Sequence, residues 1–223
     1  MEFKTNQETL RKIQGIKLGI LKASNLDLTS SKPDFEIEFE TIKTYLLEKF
    51  KDKRPAEDDT VSHVRRMYRR VGWEPTRYRP SSEALVRRIL KGKELYRINI
   101  AVDFGNLVSA RSHLPMGLYN SNKILGNITL DTGKDNESYE GISKPLIHAQ
   151  NKLILRDDEG IFGNPTADSK RTSLDDTTKE VLAVFFCPYD VRDEHLNETL
   201  DLLEEYYKEF SNIDYREIKK FKV

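Results

Sequence analysis

The sequence has a single cysteine, no long apolar run and no net charge, and each absence excludes a class of protein. Cys187 stands alone in the 223 residues, so a disulfide framework or a cysteine-based zinc site within one chain is excluded. No segment approaches the roughly 18 consecutive apolar residues of a membrane-spanning helix. The N-terminal stretch also lacks the apolar core of a signal peptide. These absences predict a cytoplasmic protein that does not associate with a membrane.

Charges balance over the whole chain. There are 37 basic and 37 acidic residues, so no global field draws the protein to nucleic acid. The four histidines stand singly, without a carboxylate or second histidine at the spacing of metal ligands. Neither a phosphate loop nor a nucleophile elbow is present. The sequence therefore predicts no cofactor and no metal site, and any attraction to nucleic acid must come from a local patch.

Helical periodicity dominates the first half of the chain and strand-like alternation most of the second. We predict strands over 14–21, 124–130, 153–156 and 181–186, and helices over 35–50, 58–72, 83–90, 98–110 and 193–210. The 181–186 run is almost continuously apolar, which is typical of a strand buried on both faces. Helices followed by strands and a last helix favour an α+β fold in one compact domain over 1–223.

Basic residues concentrate between Arg65 and Arg97, where 11 basic residues face only three acidic ones. Tyrosines and Trp73 interleave with them, a combination that suits phosphate contacts with stacking alongside. The alternative is a solvated helix face whose charge is offset by the acidic C-terminal helix. The residues predicted to contact RNA are Arg65, Arg66, Arg69, Arg70, Arg77 and Arg79.

A polar, hydroxyl-rich segment from Asp168 to Thr178 precedes the apolar strand. Loops of this composition at a strand end often hold ligands. The alternative is a surface loop whose hydroxyls serve turns and caps, and the residues by themselves favour that alternative.

Several motifs, taken in their order along the chain, resemble one family. They are Tyr78-Arg-Pro-Ser-Ser-Glu-Ala-Leu-Val-Arg-Arg88, Arg97-Ile-Asn-Ile-Ala-Val-Asp103 with Asn106, Leu114-Pro-Met-Gly117, Ser169-Lys-Arg-Thr172 and Thr177-Thr178. Together they resemble the editing (B3/B4) domain of the phenylalanyl-tRNA synthetase beta chain, in its free-standing form. The resemblance covers about residues 60–190. It leaves 14–60 and 190–223 as N- and C-terminal helical extensions.

The resemblance implies both a fold and an activity. The implied fold is α+β, with a compact mixed-sheet or barrel-like B3/B4 core and flanking helices. The implied function is binding of aminoacylated tRNA and hydrolysis of a misacylated ester in trans, as an aminoacyl-tRNA deacylase. An aminoacyl ester is already activated, so oriented water and a stabilised oxyanion could suffice without a protein nucleophile. The alternative is a non-catalytic module that binds tRNA or an amino acid and has lost the editing chemistry.

The resemblance also assigns residues. Asp103 and Asn106 would be the catalytic pair, which orients water or the aminoacyl group; helix capping and buried hydrogen bonding explain them equally well. The implied substrate-binding residues are Ser82, Glu83, Arg87, Met116, Gly117, Arg171, Thr172 and Thr178. Cap and salt-bridge roles explain the first three of these as well.

Two departures from the family affect the expected specificity. Bacterial synthetases read Pro-Met-His-Ala-Phe-Asp where this chain has Gly117 in place of the histidine. They also carry a glutamate that reads the tyrosine hydroxyl, at the position that aligns with Val184. Loss of a group that hydrogen-bonds a hydroxyl removes most discrimination for it. Tyrosine specificity is therefore not expected here.

Overall fold

The computed structural model describes residues 2–13, 15–29, 34–210 and 216–222. Six helices and eleven strands alternate along this part of the chain. In order they are β1 (Phe3–Thr5), α1 (Gln7–Ile13), β2 (Ile16–Ala23), α2 (Asp34–Lys49), α3 (Asp59–Arg70), α4 (Ser81–Leu90), α5 (Ile100–Ser112), β3 (Met116–Asn120), β4 (Ile128–Thr132), β5 (Ser138–Tyr139), β6 (Ile147–His148), β7 (Leu153–Arg156), β8 (Ile161–Asn164), β9 (Ala167–Asp168), β10 (Val181–Pro188), α6 (Asp193–Phe210) and β11 (Arg216–Lys222).

The strands form two large open sheets and one small one. The first is antiparallel in the order β11-β2-β10-β3. The second has the order β1-β4-β7-β8-β9, with a parallel β1–β4 pair and antiparallel pairs elsewhere. β5 and β6 pair separately. The fold is thus α+β with mixed sheets, and it takes the open-sheet form of the expected architecture.

The four-stranded sheet is the middle layer of the molecule. Gly19, Phe185 and Met116 are cross-strand neighbours and therefore share one face. A Cβ atom at Gly19 would lie 2.6 Å from Leu196 Cδ1 of α6, and one at Gly105 of α5 would lie 2.5 Å from Met116 Cε. The absence of side chains at the two glycines lets both helices pack closely on this face. The opposite face packs against the five-stranded sheet.

Local chemistry sets the ends of helices α3 and α5. Asp58 caps α3 by accepting a hydrogen bond from Val61 N at 3.2 Å. Asn99 caps α5 by accepting one from Val102 N at 3.1 Å. α5 ends at His113, which adopts a left-handed conformation with φ of 62°. α5 therefore runs two residues later at each end than the periodicity alone predicted.

Eight of the described elements were not predicted, namely β1, α1, β3, β5, β6, β8, β9 and β11. β1 and α1 are short, and β1 pairs with β4 across more than one hundred residues. The C-terminal extension, expected to be helical, also contains β11, which is a correction to that expectation. β11 pairs with β2 at the outer edge of the sheet. Its many lysines are typical of an edge strand and obscure the alternation that marks buried strands.

Candidate functional site

Asp103 and Asn106 lie one turn apart on α5 but in different surroundings. Asp103 is buried and accepts hydrogen bonds from Ile98 N and Arg97 Nε, both at 2.8 Å. Arg97 also contacts Glu36 Oε1 at 2.5 Å. The Asp103 carboxylate thus performs the capping and buried hydrogen bonding that the sequence left open as its alternative role. Asn106 is half-buried, and within the described ranges its side chain makes no hydrogen bond.

Strand β3 presents alternate residues to two different layers. Met116 and Leu118 point towards α5, where both side chains approach Gly105. Gly117 and Tyr119 point to the other face, and the Tyr119 ring meets Phe162 of β8 edge-on, with ring centroids 4.8 Å apart. The strand therefore places Gly117 on the face of the sheet opposite α5, which carries Asp103 and Asn106.

The two positions at which the chain departs from the synthetase pattern are adjacent. Gly117 and Val184 are cross-strand partners of β3 and β10. A Cβ atom at Gly117 would lie 2.0 Å from Tyr119 Oη and 2.8 Å from Asp168 Oδ1, and one at Gly163 would lie 2.3 Å from Tyr119 Oη. The Tyr119 hydroxyl fills the space between the two glycines. No side chain fits at 117 without displacing it.

Asp168 brings a titratable group to this space. Its Oδ2 accepts a hydrogen bond from Leu118 N at 3.2 Å. Its buried Oδ1 faces the Tyr119 hydroxyl, although neither atom has a hydrogen-bond partner of normal geometry in the described part of the chain. Burial raises the pKa of Asp168 to about 7, against the opposing effect of Tyr119 and the Leu118 amide. A carboxyl that titrates near neutral pH is suited to accept a proton from water.

Residues of the hydroxyl-rich segment stabilise the loop that leads into β10 through an ion pair and hydrogen bonds. Arg171 Nη2 forms an ion pair with the buried Asp157, at 2.8 Å. The Thr172 carbonyl accepts a hydrogen bond from Asn120 N at 2.8 Å. Thr178 Oγ1 accepts one from Asn120 Nδ2 at 3.1 Å. These three implied substrate-binding residues therefore surround the end of β3, and their polar groups already have partners in the protein.

Glu83 forms ion pairs with three arginines. It is fully buried and lies 2.9 Å from Arg65 Nη1, 2.8 Å from Arg87 Nε and 3.8 Å from Arg79 Nε. The neighbouring Ser82 is also buried and donates to the backbone carbonyl that follows α5, at 2.9 Å. Three cations around one carboxylate leave a local excess of positive charge. The cluster can still attract an anion, although Glu83 itself is inaccessible.

The other four predicted RNA-binding arginines divide into two pairs. Arg66 and Arg70 both approach Asp190, at 3.4 and 3.7 Å. Arg69 and Arg77 are exposed and form no ion pair with any described residue. Arg69 and Arg77 are thus the members of the patch without an ion pair there, although Arg69, after the hydrogen bonds from Thr76, also helps to lower the pKa of Glu74.

The described residues contain neither a metal-ligand cluster nor a membrane-spanning helix. No group of three or more histidine, cysteine, aspartate or glutamate residues could hold a metal ion in that part of the chain. None of the helices there is long and apolar enough to cross a membrane.

Comparison with known proteins adds the family context. A family model described as the B3/4 domain matches residues 63–203. The phenylalanine–tRNA ligase beta subunit of Fusobacterium nucleatum subsp. nucleatum is 28% identical over 114 residues, which cover 46% of this chain and 13% of that subunit. An N-terminal fragment of the phenylalanyl-tRNA synthetase beta subunit from Pyrococcus horikoshii gives a TM-score of 0.46 at 11% identity. That match covers 100% of this chain and 53% of the fragment, so the chain spans about half of one relative and a small part of the other.

Proposed function

The chain belongs to the B3/4 domain family, and on that basis we propose that it binds the aminoacyl end of tRNA and hydrolyses the ester of misacylated tRNA in trans. One observation carries the hydrolytic part. The carboxyl of Asp168, whose Oδ1 is buried, faces the Tyr119 hydroxyl next to Gly117. This is the place where the family resemblance expects a pocket histidine. An acid–base group is therefore present there, although it comes from β9 and not from β3.

The proposed chemistry needs no covalent intermediate with the protein. Ionised Asp168 accepts a proton from a water molecule as the water oxygen attacks the ester carbonyl carbon. The tetrahedral intermediate then expels the ribose oxygen, and the proton held by Asp168 passes to that leaving oxygen. Such general acid–base catalysis contributes roughly 10²–10⁴-fold to a rate. Asn106 takes no part in this chemistry, because α5 covers the face of the sheet opposite Gly117 and Asp168.

A second candidate is a module that binds tRNA or an amino acid without chemistry. The specific observation in its favour is that Gly117 and Val184 are cross-strand partners. Both positions that carry polar side chains in the synthetases therefore lack them at a single place in the sheet. A pocket changed in this way could keep its shape for a ligand and lose the groups that act on it.

A deacylation screen separates the two candidates. The purified chain is incubated with a panel of mischarged tRNAs, and released amino acid is measured against time. We expect turnover with at least one member, and we expect Asp168→Asn to lower it about 100-fold or more. Asp52→Asn, which alters an exposed carboxylate away from the site, should leave the rate unchanged. Saturable tRNA binding without turnover would favour the binding module, and neither binding nor turnover would exclude both candidates.

A further inference from the structure

A cavity of about 290 Å³ lies beside the loop that follows α3. Its walls come from this loop, from the β5–β6 connection, from the segment that joins β6 to β7 and from the β8–β9 hairpin, and they include Trp73, Tyr78, Lys144, Leu146, Lys152 and Ala167. The volume is near the lower end of the range for small-molecule sites. The cavity is separate from the Asp168–Tyr119 pair, although Ala167 in its wall directly precedes Asp168.

Stacked aromatic rings form one wall. Trp73 stacks on Tyr68 with ring centroids 4.2 Å apart, and Tyr78 follows 6.3 Å from Trp73. Tyr78 is 36% exposed, and the Arg77 guanidinium lies 5.2 Å from its ring centroid, so a ligand reaches the part of the ring that Arg77 leaves uncovered. Trp73 is almost fully buried, and its Nε1 donor has no acceptor in the part of the chain that the structure describes. The wall thus offers a stacking surface, whereas the unpartnered Trp73 Nε1 is itself buried behind it.

Lys152 gives the cavity its charge. It is only 9% exposed, and its ammonium lies 4.8 Å from the Tyr78 ring centroid and 5.4 Å from that of Trp73. No carboxylate pairs with it among the described residues. A buried cation without a counter-ion is costly, and aromatic faces compensate it only in part. Burial, and then the charge of Lys144, lower the pKa of Lys152, which also indicates that no protein anion neutralises it.

We propose that this cavity binds a nucleoside monophosphate unit, with the base stacked on Tyr78 and the phosphate held by Lys152. A flat ring satisfies the aromatic wall, and an anionic group supplies the charge that Lys152 lacks. Exposed Lys144 at the rim adds a second cation for the phosphate. The unit can come from two sources, a free nucleotide or the terminal nucleotide of an RNA. Only the RNA source rests on the proposed function.

Fluorescence of Trp73 reports on this cavity directly, because it is the only tryptophan in the chain. The whole protein is titrated with adenosine 5′-monophosphate, with adenosine and with inorganic phosphate. We expect a saturable change with the monophosphate, and about tenfold or greater weakening for each of the other two ligands. Equal affinity for adenosine would overturn the role of the charge. Equal affinity for inorganic phosphate would overturn the role of the ring.

Variants of Lys152 test the assignment. Lys152→Met keeps most of the apolar stem and removes the charge, and it should weaken binding of the monophosphate about tenfold or more. Lys152→Arg should retain binding, and Lys91→Met, which alters an exposed lysine outside the cavity, should have no effect. Unchanged affinity in Lys152→Met would overturn the proposal. If that variant fails to fold, Tyr78→Leu replaces it, with the same expected loss, and unchanged affinity there overturns the proposal equally.

The two sources are separated with uncharged tRNA. Intact tRNA is compared with the same tRNA from which the terminal adenosine nucleotide has been removed. Tighter binding of the intact molecule, with loss of that difference in Lys152→Met, supports the RNA end as the source. Equal binding of both tRNAs together with a response to the free monophosphate supports a free nucleotide. No fluorescence response to either probe overturns the site, whereas a response without deacylation would contradict only the hydrolysis proposed above.

Discussion

Two glycines create the space that the Tyr119 hydroxyl occupies. A Cβ atom at Gly117 or at Gly163 would approach Tyr119 Oη to 2.0 or 2.3 Å. With both side chains absent, the hydroxyl faces the Asp168 carboxyl in a buried environment. The loss of the histidine expected at 117 is thus linked to the presence of a different titratable group. The titratable group beside position 117 therefore belongs to β9, a strand distant in sequence from β3.

Replacement of Asp168 by asparagine is expected to stabilise the protein at high pH. The folded carboxyl has a pKa of about 7, whereas an unfolded aspartate titrates near roughly 3.9. Between these values the folded state binds more protons, so the carboxyl lowers stability as the pH rises through this window. At pH 8 the Asp168→Asn variant should be about 4 kcal/mol more stable than the natural chain. Below pH 4 the two should converge.

Urea unfolding at several pH values between 4 and 8 measures this difference. Because the buried His113, whose pKa is lowered to about 3 mainly by burial, titrates with the opposite effect, the two proteins are compared at each pH. Asp52→Asn is the matched control and should follow the natural chain. A constant difference between Asp168→Asn and the natural chain would show that Asp168 is not held neutral in the fold.

At the scale of elements, periodicity within single segments predicted the five longest helices and four of the strands. Most of the short strands were not predicted. The apolar 181–186 run and the periodicity of 193–210 belong to β10 and α6 because their patterns lie within single segments. β1, β5, β6 and β9 escaped prediction because two or three residues are too few to show an alternation, and the lysines of β11 obscure its pattern. The pairing of Gly117 with Val184 likewise depends on register. In the sequence, Asp168 was marked only as the first residue of a polar segment. Its position beside Tyr119 depends on the packing of two sheets, which the sequence pattern does not show.

The arginines of α3 and the following loop are expected to differ in their contribution to tRNA binding. Arg69 and Arg77 have no ion pair in the described part of the chain, so each is free to replace a counter-ion on phosphate. Arg69→Ala and Arg77→Ala should each weaken tRNA binding. Each should also reduce the slope of log affinity against log salt by about one. Arg66→Ala should have a smaller effect, because Arg66 already lies 3.4 Å from Asp190.

Fluorescence anisotropy of labelled tRNA at four or five salt concentrations measures the slopes. Arg54→Ala, which removes an exposed arginine paired with Glu57 away from the cluster, serves as the control. Equal slopes for Arg69→Ala and the natural chain would show that this patch is a solvated face, as the alternative from the sequence holds.

At the scale of the whole molecule, one hydrophobic core joins parts of the chain that the sequence placed in separate regions. Buried residues from Ile13 to Tyr207 form a single cluster that includes helices and both large sheets. β2 lies outside the 60–190 core suggested by the family resemblance, yet it pairs with β10 along eight residues. α6, also outside it, packs on β2 through Leu196. The flanking segments therefore supply a central strand and a covering helix.

A fragment of residues 60–190 is expected not to fold, and the whole chain is expected to unfold in one transition. Without β2, one edge of β10 loses its partner, and without α6 the face that carries Phe185 loses its cover. Exposure of several large apolar side chains, at roughly 1.5–3 kcal/mol each, exceeds the ~5–15 kcal/mol by which a domain is stable.

Far-UV circular dichroism and Trp73 fluorescence should therefore give coincident melting curves for the whole chain. A chain that ends at residue 210 should still melt cooperatively, because among the described elements it lacks β11 alone, which is an edge strand. Cooperative melting of the 60–190 fragment, or two separated transitions in the whole chain, would show that the segments on either side of the family core are dispensable additions.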